Sequence, residues 1–254
     1  MLFLLALLIT NPVAMQVDSG DIVDLGQIGP GQTLAIEINP IVSEGGKLGK
    51  GGRYDIAYAE QLPEGWKSEP SKLLSNPLQV LVKSAPDAQD GVYYFRVVAQ
   101  DEGNAEGLGT FGFSGKVRIT RDILAAYVDK QAMDVGVGQP ARFYITIENK
   151  GSAGDTFVIR AEGLDSVLQR VVYVPPRTPK KVSYEITLKE QESLNIPVKV
   201  SSYSSPEIST SMVLSVSAKP DIIADYKACG NGLMLMPFVE QPVCSFAAFI
   251  SNFL

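Results

Sequence analysis

The sequence has no histidine, and this absence excludes several kinds of catalytic site. Ser-His-Asp and Cys-His mechanisms need an imidazole as the general base, so neither is available. Histidine is also the commonest zinc ligand, and the only two cysteines, Cys229 and Cys244, form no Cys-x-x-Cys pair. The usual zinc sites and thioredoxin-like redox chemistry are therefore not expected.

Basic residues are scarce relative to acidic ones. The chain has 22 lysines and arginines against 28 aspartates and glutamates, which gives a formal net charge of −6. Nucleic-acid binding relies on basic patches that displace counterions from phosphates, so we expect no nucleic-acid partner. Paired carboxylates serve glycosidases, but nothing in the sequence selects one pair among the 28 acids. We therefore expect no enzyme activity and no cofactor.

Long apolar runs occur only at the two ends of the chain. Residues 2–9 read LFLLALLI, a Thr-Asn-Pro segment ends the run, and Ala14 supplies a small residue for cleavage. A run of this length is too short to span a bilayer and is typical of a secretory signal peptide. We predict a signal peptide over residues 1–16 and an extracytoplasmic, cell-surface location. A buried first strand and a wrongly placed start codon are the alternatives.

The second apolar run covers residues 232–254 and is about as long as a transmembrane helix. Pro237 and Pro242 break helix hydrogen bonds, and Glu240 would cost roughly 3 kcal/mol at mid-bilayer. We therefore predict a helix lying in the membrane interface or a short re-entrant hairpin. Its membrane contacts would be Leu233, Leu235, Phe238, Phe246, Phe249, Ile250, Phe253 and Leu254. A helix packed on the preceding domain or on a partner subunit is the alternative.

The two cysteines flank the Glu-Gln-Pro turn of this apolar tail. In an oxidising compartment, a Cys229–Cys244 disulfide would close the hairpin and stabilise it by roughly 3 kcal/mol. The alternative is two unrelated buried thiols, because distance cannot be read from sequence.

Between the two ends, apolar and polar residues alternate in short runs that Gly, Pro and Asp clusters separate. This pattern is typical of half-buried antiparallel strands, and no comparable window has a helical period. The sequence predicts strands at residues 33–39, 53–59, 79–83, 91–100, 110–120, 141–148, 156–161, 169–174, 181–188, 196–202 and 210–216.

The two halves of this central part begin alike. Gly31-Gln32 precedes the strand at 33–39, and Gly138-Gln139 precedes the strand at 141–148. This weak repeat favours two similar domains. We predict an all-β chain of two tandem Ig-like antiparallel β-sandwiches, followed by a short apolar helical tail. The domain boundaries are 17–121, 122–219 and 220–254, and residues 121–134 hold the hinge and first strand of the second domain.

Two motifs carry a resemblance to known families. Residues 62–66 read LPEGW, and residues 138–157 contain a turn with the spacing N-x-G-x-x-x-D-x-F. Together with Pro86-Asp87-Ala88, Gly91, Tyr93, Phe95 and Val97, they resemble the α-galactosidase-associated (NPCBM-associated) Ig-like family and its CARDB-like relatives. The resemblance covers residues 20–218 and implies spacer, adhesion or display modules on prokaryotic, often archaeal, surfaces. It brings no catalytic residues, and the long insert at 45–52 departs from it.

Three features invite a binding role and have simpler interpretations. Residues 45–53 read GGKLGKGGR, which fails the phosphate-loop spacing, so we expect a flexible hairpin loop. Lys47, Lys50 and Arg53 could still touch an acidic lipid or polymer. Trp66 is the only tryptophan and is expected in the core, so a sugar-stacking platform would have to use tyrosines.

Calcium is the third possibility. It needs six to eight oxygen ligands from convergent loops, and no EF-hand spacing is present. The candidate ligands are Asp18, Asp21, Asp24, Asp101, Glu102 and Glu106, and solvated turn carboxylates are the simpler interpretation.

These observations predict a non-catalytic exported protein that acts as a membrane-attached spacer, adhesion or envelope-assembly module. Its partners would be the membrane, through the C-terminal tail, and a protein or surface polysaccharide. The alternative is a carbohydrate-binding accessory protein that contacts polysaccharide through tyrosines and acidic loops at a sandwich edge.

Overall fold

The computed structural model describes residues 6–163 and 169–219. Within these ranges the chain is all-β, with one short 3-10 turn at Glu102–Asn104 and no α-helix. No helix in the described part is long and apolar enough to cross a membrane. The all-β prediction is confirmed, while the predicted helical tail lies outside the described residues.

The N-terminal β region, residues 6–119, contains two sheets. Its strands are β1 (Ala6–Asn11), β2 (Met15–Asp18), β3 (Ile22–Ile28), β4 (Thr33–Ile38), β5 (Ile41–Val42), β6 (Gly52–Arg53), β7 (Ile56–Glu60), β8 (Lys67–Glu69), β9 (Leu78–Lys83), β10 (Gly91–Gln100) and β11 (Thr110–Ile119). One sheet has the order β2-β1-β4-β9-β8 and the other β3-β11-β10-β7, while β5 and β6 form a separate hairpin. Their inward faces enclose one hydrophobic core.

The first strand occupies residues that the sequence predicted as a signal peptide. β1 lies between β2 and β4, with Ile9 opposite Met15 on one side and Ile38 on the other. Leu7 and Ile9 are fully buried in the core, and Leu8 on the other face is exposed. This is the arrangement of the alternative, a buried first strand. Cleavage after Ala14 would remove both core side chains, and it stays a prediction.

The C-terminal β region, residues 124–219, also contains two sheets. Its strands are β12 (Leu124–Val128), β13 (Ala132–Gly136), β14 (Pro140–Asn149), β15 (Asp155–Ala161), β16 (Gln169–Val174), β17 (Thr178–Thr187), β18 (Ser193–Ser202) and β19 (Ser209–Lys219). The sheet orders are β12-β14-β17 and β13-β19-β18-β15-β16. Phe143 and Phe157 are fully buried in a second hydrophobic core.

The two regions share a topology. In each region the first strand pairs antiparallel with a strand of one sheet, β1 with β4 and β12 with β14. The chain then crosses to the other sheet. There β3 pairs in parallel with β11, and β13 pairs in parallel with β19. The Gly-Gln repeat is an equivalent turn in both, because Gly31 donates to the Ala85 carbonyl and Gly138 to the Leu188 carbonyl. The weak sequence repeat therefore has a structural counterpart.

Trp66 lies in the first core, as predicted. It is 7% exposed, and its ring centroid lies 5.4 Å from that of Tyr93 and 6.1 Å from that of Phe95. Aromatic pairs at such distances contribute beyond their buried area. The tryptophan is therefore committed to packing and is not offered as a sugar platform.

Burial of Tyr54 in the first core makes the stability of the protein depend on pH. Its hydroxyl is buried and has no hydrogen-bond partner in the described part of the chain. Burial, with a smaller contribution from the Asp101 carboxylate, raises its pKa to about 12. The pKa of Tyr54 is higher in the folded than in the unfolded chain. The contribution of its neutral hydroxyl to the free energy of unfolding is therefore complete below about pH 10 and is lost as pH rises toward 12.

We expect urea unfolding to show this loss as about 2–3 kcal/mol between pH 9 and pH 12 in the wild type. Tyr54→Phe removes the ionisable group and should lose correspondingly less over the same range. Tyr94→Phe is the matched control, because Tyr94 is exposed, and it should follow the wild type. Equal losses in the wild type and Tyr54→Phe would show that another group causes the dependence.

Candidate functional site at the junction of the two β regions

The predicted membrane and disulfide residues cannot be placed. Cys229, Cys244 and the eight predicted membrane contacts, Leu233, Leu235, Phe238, Phe246, Phe249, Ile250, Phe253 and Leu254, all lie outside the described residues. The disulfide and the membrane contacts therefore stay predictions.

The glycine-rich segment is the loop of a hairpin, as predicted. β5 and β6 pair through Ile41 opposite Arg53 and Val42 opposite Gly52. Arg53 donates to the carbonyls of Leu74 and Ser75, so its guanidinium holds a neighbouring loop. No group of three potential metal ligands occurs in residues 6–163 and 169–219, so the six carboxylates proposed for calcium do not converge there.

The most distinctive polar cluster joins the two β regions. The Asp155 carboxylate is 5% exposed and belongs to the C-terminal region. It accepts a hydrogen bond of 2.7 Å from Gln32 Nε2 of the N-terminal region, and bonds of 2.6 Å from each of the Ser202 and Ser204 hydroxyls. The backbone N–H of Thr156 adds a fourth donor at 2.8 Å. Four donors compensate the lost hydration of this buried charge.

Gln32 is itself held on both sides. Its side-chain oxygen accepts from the Gly29 N–H at 2.8 Å, and the residue is 1% exposed. The equivalent residue of the second repeat, Gln139, is only partly buried. The same turn therefore has a different role in each region, because only the first one is covered by the other region.

Backbone contacts extend the junction beside this cluster. The Ser152 N–H donates to the Gln27 carbonyl at 2.7 Å, and the Gln27 N–H donates to Ser152 Oγ at 3.3 Å. Gly26 has a φ of +88°, and a Cβ there would lie 2.1 Å from Ser152 Oγ. Only glycine permits this approach without rearrangement. Arg121, between the regions, forms ion pairs with Asp90 and Glu207.

A cleft of about 490 Å³ opens at the same junction and is called the junction cleft below. Its cationic residues are Lys116 and Arg118 on β11, and Lys150 and Arg177 in turns of the C-terminal region. Asp24 also lines it, and the hydrogen bond from Lys116, followed by that from the Gly26 N–H, lowers the pKa of its carboxyl. The cleft is basic in a chain whose net charge is −6.

A second surface carries exposed tyrosines. The tyrosine surface consists of Tyr127, Tyr144 and Tyr173, which are 54%, 38% and 55% exposed. Tyr144 and Tyr173 line a groove of about 570 Å³ between β16 and β17. Its cations are engaged: Lys181 lies 4.7 Å from the Tyr144 ring centroid, and Lys180 and Arg170 donate to backbone carbonyls.

Comparisons with known proteins give no family. No family model matches the sequence. An S-adenosylmethionine synthase of Gluconacetobacter diazotrophicus is 28% identical over 134 residues, which is 46% of this chain and 33% of that protein. The chain thus spans about a third of the length of this curated relative, and the match is too short and distant to show a shared activity.

The similar solved structures include Ig-like and fibronectin-like β folds. A chimeric titin Z1Z2 is 11% identical with a TM-score of 0.38, covering 87% of this chain and 100% of that one. The fibronectin(III)-like modules of Clostridium thermocellum CbhA are 11% identical with a TM-score of 0.29, covering 84% and 94%. Neither similarity bears on function.

Sequence reasoning singled out parts of the junction for other reasons. Asn149, Gly151, Asp155 and Phe157 are the fixed positions of the turn motif, and Gln32 belongs to the repeat. Nothing local indicated that Gln32 and Asp155, 123 residues apart, would bond to each other. The cations of the junction cleft form no motif at all, so no sequence signal could have found them.

Proposed function

We propose that the protein is a non-catalytic, exported scaffold in which two tandem Ig-like sandwiches, one in each β region, are attached to a membrane by a helical tail, 220–254. The sandwiches act as a spacer that presents loops and strand edges to a protein partner or to a neighbouring surface. The observation that carries the proposal is the buried hydrogen bond between Gln32 and Asp155.

The junction supports a spacer because a spacer must hold a defined length and orientation. Flexible tandem domains usually meet through small, polar and wet contacts. Here a buried carboxylate from one region accepts a hydrogen bond from the other, and the Ser152 side chain packs against Gly26 so closely that a Cβ there would lie 2.1 Å from Ser152 Oγ. Bending at this joint would break the hydrogen bond from Gln32 to the buried Asp155 carboxylate, and loss of a partner for a buried charge is costly. We therefore expect the two sandwiches to move as one unit.

Membrane fractionation tests the attachment. The full chain and a chain ending at Lys219 are expressed side by side, and membranes are extracted with carbonate and then with detergent. We expect only the full chain to remain with the membrane through carbonate and to be released by detergent, because residues 232–254 carry the apolar run. If both chains are soluble and monodisperse, the membrane attachment is wrong and the scaffold acts in solution.

The tyrosine surface favours a second candidate, a carbohydrate-binding accessory protein. Tyr144 and Tyr173 line a groove and are partly exposed, and aromatic rings with a polar tip suit partly wet contacts. Retention of the chain ending at Lys219 on purified cell-wall glycans distinguishes the two roles. Binding that is lost in Tyr144→Ala supports the carbohydrate role, and no retention of the unmodified chain excludes it for those glycans.

A further inference from the structure

The junction cleft gathers positive charge from both β regions. Lys116 and Arg118 come from β11 of the N-terminal region, while Lys150 follows β14 and Arg177 lies between β16 and β17. Of the described residues that line the cleft, only Asp24 is acidic. Like charges around one cleft repel each other, so a bound anion would lower the electrostatic energy of this arrangement.

Two of these cations already have a carboxylate. Lys116 Nζ lies 3.0 Å from Asp24 Oδ2, and the Asp24 carboxylate also accepts from the Gly26 N–H at 2.9 Å. Lys150 Nζ lies 3.2 Å from Asp122 Oδ1, although the Asp122 side chain is 84% exposed. Exposed pairs of this kind are weak and exchange readily with solvent ions. Each of the two ammonium groups thus has a carboxylate partner, but a weak one.

Neither guanidinium group forms an ion pair with a described residue. Arg177 Nη2 donates to the neutral Ser152 Oγ at 3.0 Å, and the Arg177 charge makes only a minor contribution to the lowered pKa of Asp24. The Arg118 guanidinium is exposed and makes no hydrogen bond with any described residue. Arg177 also has a φ of 52°, which is uncommon for a residue with a Cβ, and its backbone N–H donates to the Gly151 carbonyl. Such backbone conformations persist where the surrounding structure imposes them, so this arginine is held at the cleft by the turn.

We propose that the junction cleft binds a phosphate or sulfate group, either free or carried on a small molecule, between Arg118 and Arg177, with Lys150 at its edge. Guanidinium groups present paired N–H donors that match the oxygens of such anions. The cleft is concave and about 490 Å³ in volume, which suits a compact charged group better than the flat surface of a membrane. A bound anion bridges the two β regions. This site goes beyond the scaffold role and does not depend on it.

The test is a titration of the full chain, monitored by calorimetry and by amide chemical shifts. The probes are inorganic phosphate, inorganic sulfate, glucose 6-phosphate and glucose, all at constant ionic strength set with chloride, so that general screening does not change. We expect the anions to bind and glucose not to bind, with shifts near β11 and the turn at Arg177. Tighter binding of glucose 6-phosphate than of phosphate would identify a carried group as the ligand.

The variants place the site. Arg118 is exposed and unpaired among the described residues, so Arg118→Ala should fold normally and bind at least about tenfold more weakly. Lys150→Gln, from the other region, should also weaken binding. Arg96→Ala is the matched control, because Arg96 lies on the neighbouring strand β10, pairs with Glu60 and does not line the cleft. Absence of anion binding in the unmodified chain, or equal affinity in Arg118→Ala and Arg96→Ala, would overturn the proposal.

Discussion

Replacing Ile9 by alanine is expected to lower the free energy of unfolding by about 2–5 kcal/mol. Ile9 is fully buried in the first core, in a strand paired on both sides, so truncation leaves a cavity in the core beneath β1. Urea unfolding, followed by tryptophan fluorescence from the buried Trp66, measures the change in the same core.

Leu8→Ala is the matched control, because Leu8 lies in the same strand and is 38% exposed. We expect it to change stability by about 0.5 kcal/mol or less. The comparison also tests the signal-peptide prediction. A chain cleaved after Ala14 lacks both positions, so both variants would then equal the wild type, and intact-mass measurement of the purified protein would show the loss.

Replacing Asp155 by alanine is expected to cost about 3 kcal/mol of unfolding free energy. The substitution leaves the buried Gln32 and Ser202 with donors that have lost their acceptor, whereas the exposed Ser204 can bond to water. Each unsatisfied buried donor costs about 1–3 kcal/mol before relaxation. Small-angle scattering should also show a broader distribution of distances, because the joint between the two β regions has lost its cross-link.

A double-mutant cycle separates the contact between regions from the contacts within one region. Gln32→Ala and Asp155→Ala should couple by about 1 kcal/mol or more, since the two side chains bond directly. Gln139→Ala is the control for Gln32→Ala, because it occupies the equivalent turn of the second region without contacting Asp155. If Gln32→Ala and Gln139→Ala lower the free energy of unfolding equally, the hydrogen bond from Gln32 to Asp155 does not stabilise the joint between the regions.

Central strands were predictable because their signal is local. The predicted strand at 91–100 has the observed bounds of β10, which lies between β11 and β7 in its sheet. In β10, Phe95 and Val97 alternate with exposed Tyr94 and Arg96, so neighbouring residues alone reveal the period of two.

Some edge strands were missed, although the edge strand β16 was predicted with its observed bounds. β3 was missed although Val23 and Leu25 are buried, because Gly26 and Gln27 interrupt the alternation where the register with β11 shifts. Its parallel partner lies about 90 residues away along the chain, as Ile22 faces Ser114. A strand whose pairing depends on so distant a segment leaves little trace in its own sequence.

The local sequence pattern was sufficient to predict the all-β class, several of the strands and the place of Trp66 in a core. These features follow from alternation and composition within a few residues. Long-range contacts in the folded chain are the reason that residues 6–11 pack as a core strand, that Asp155 accepts a hydrogen bond from Gln32, and that Arg118 and Arg177 line one cleft. Those outcomes depend on which distant segments meet. Packing and charge determine these contacts between segments that lie about a hundred residues apart in the chain, and the local sequence pattern does not contain that information.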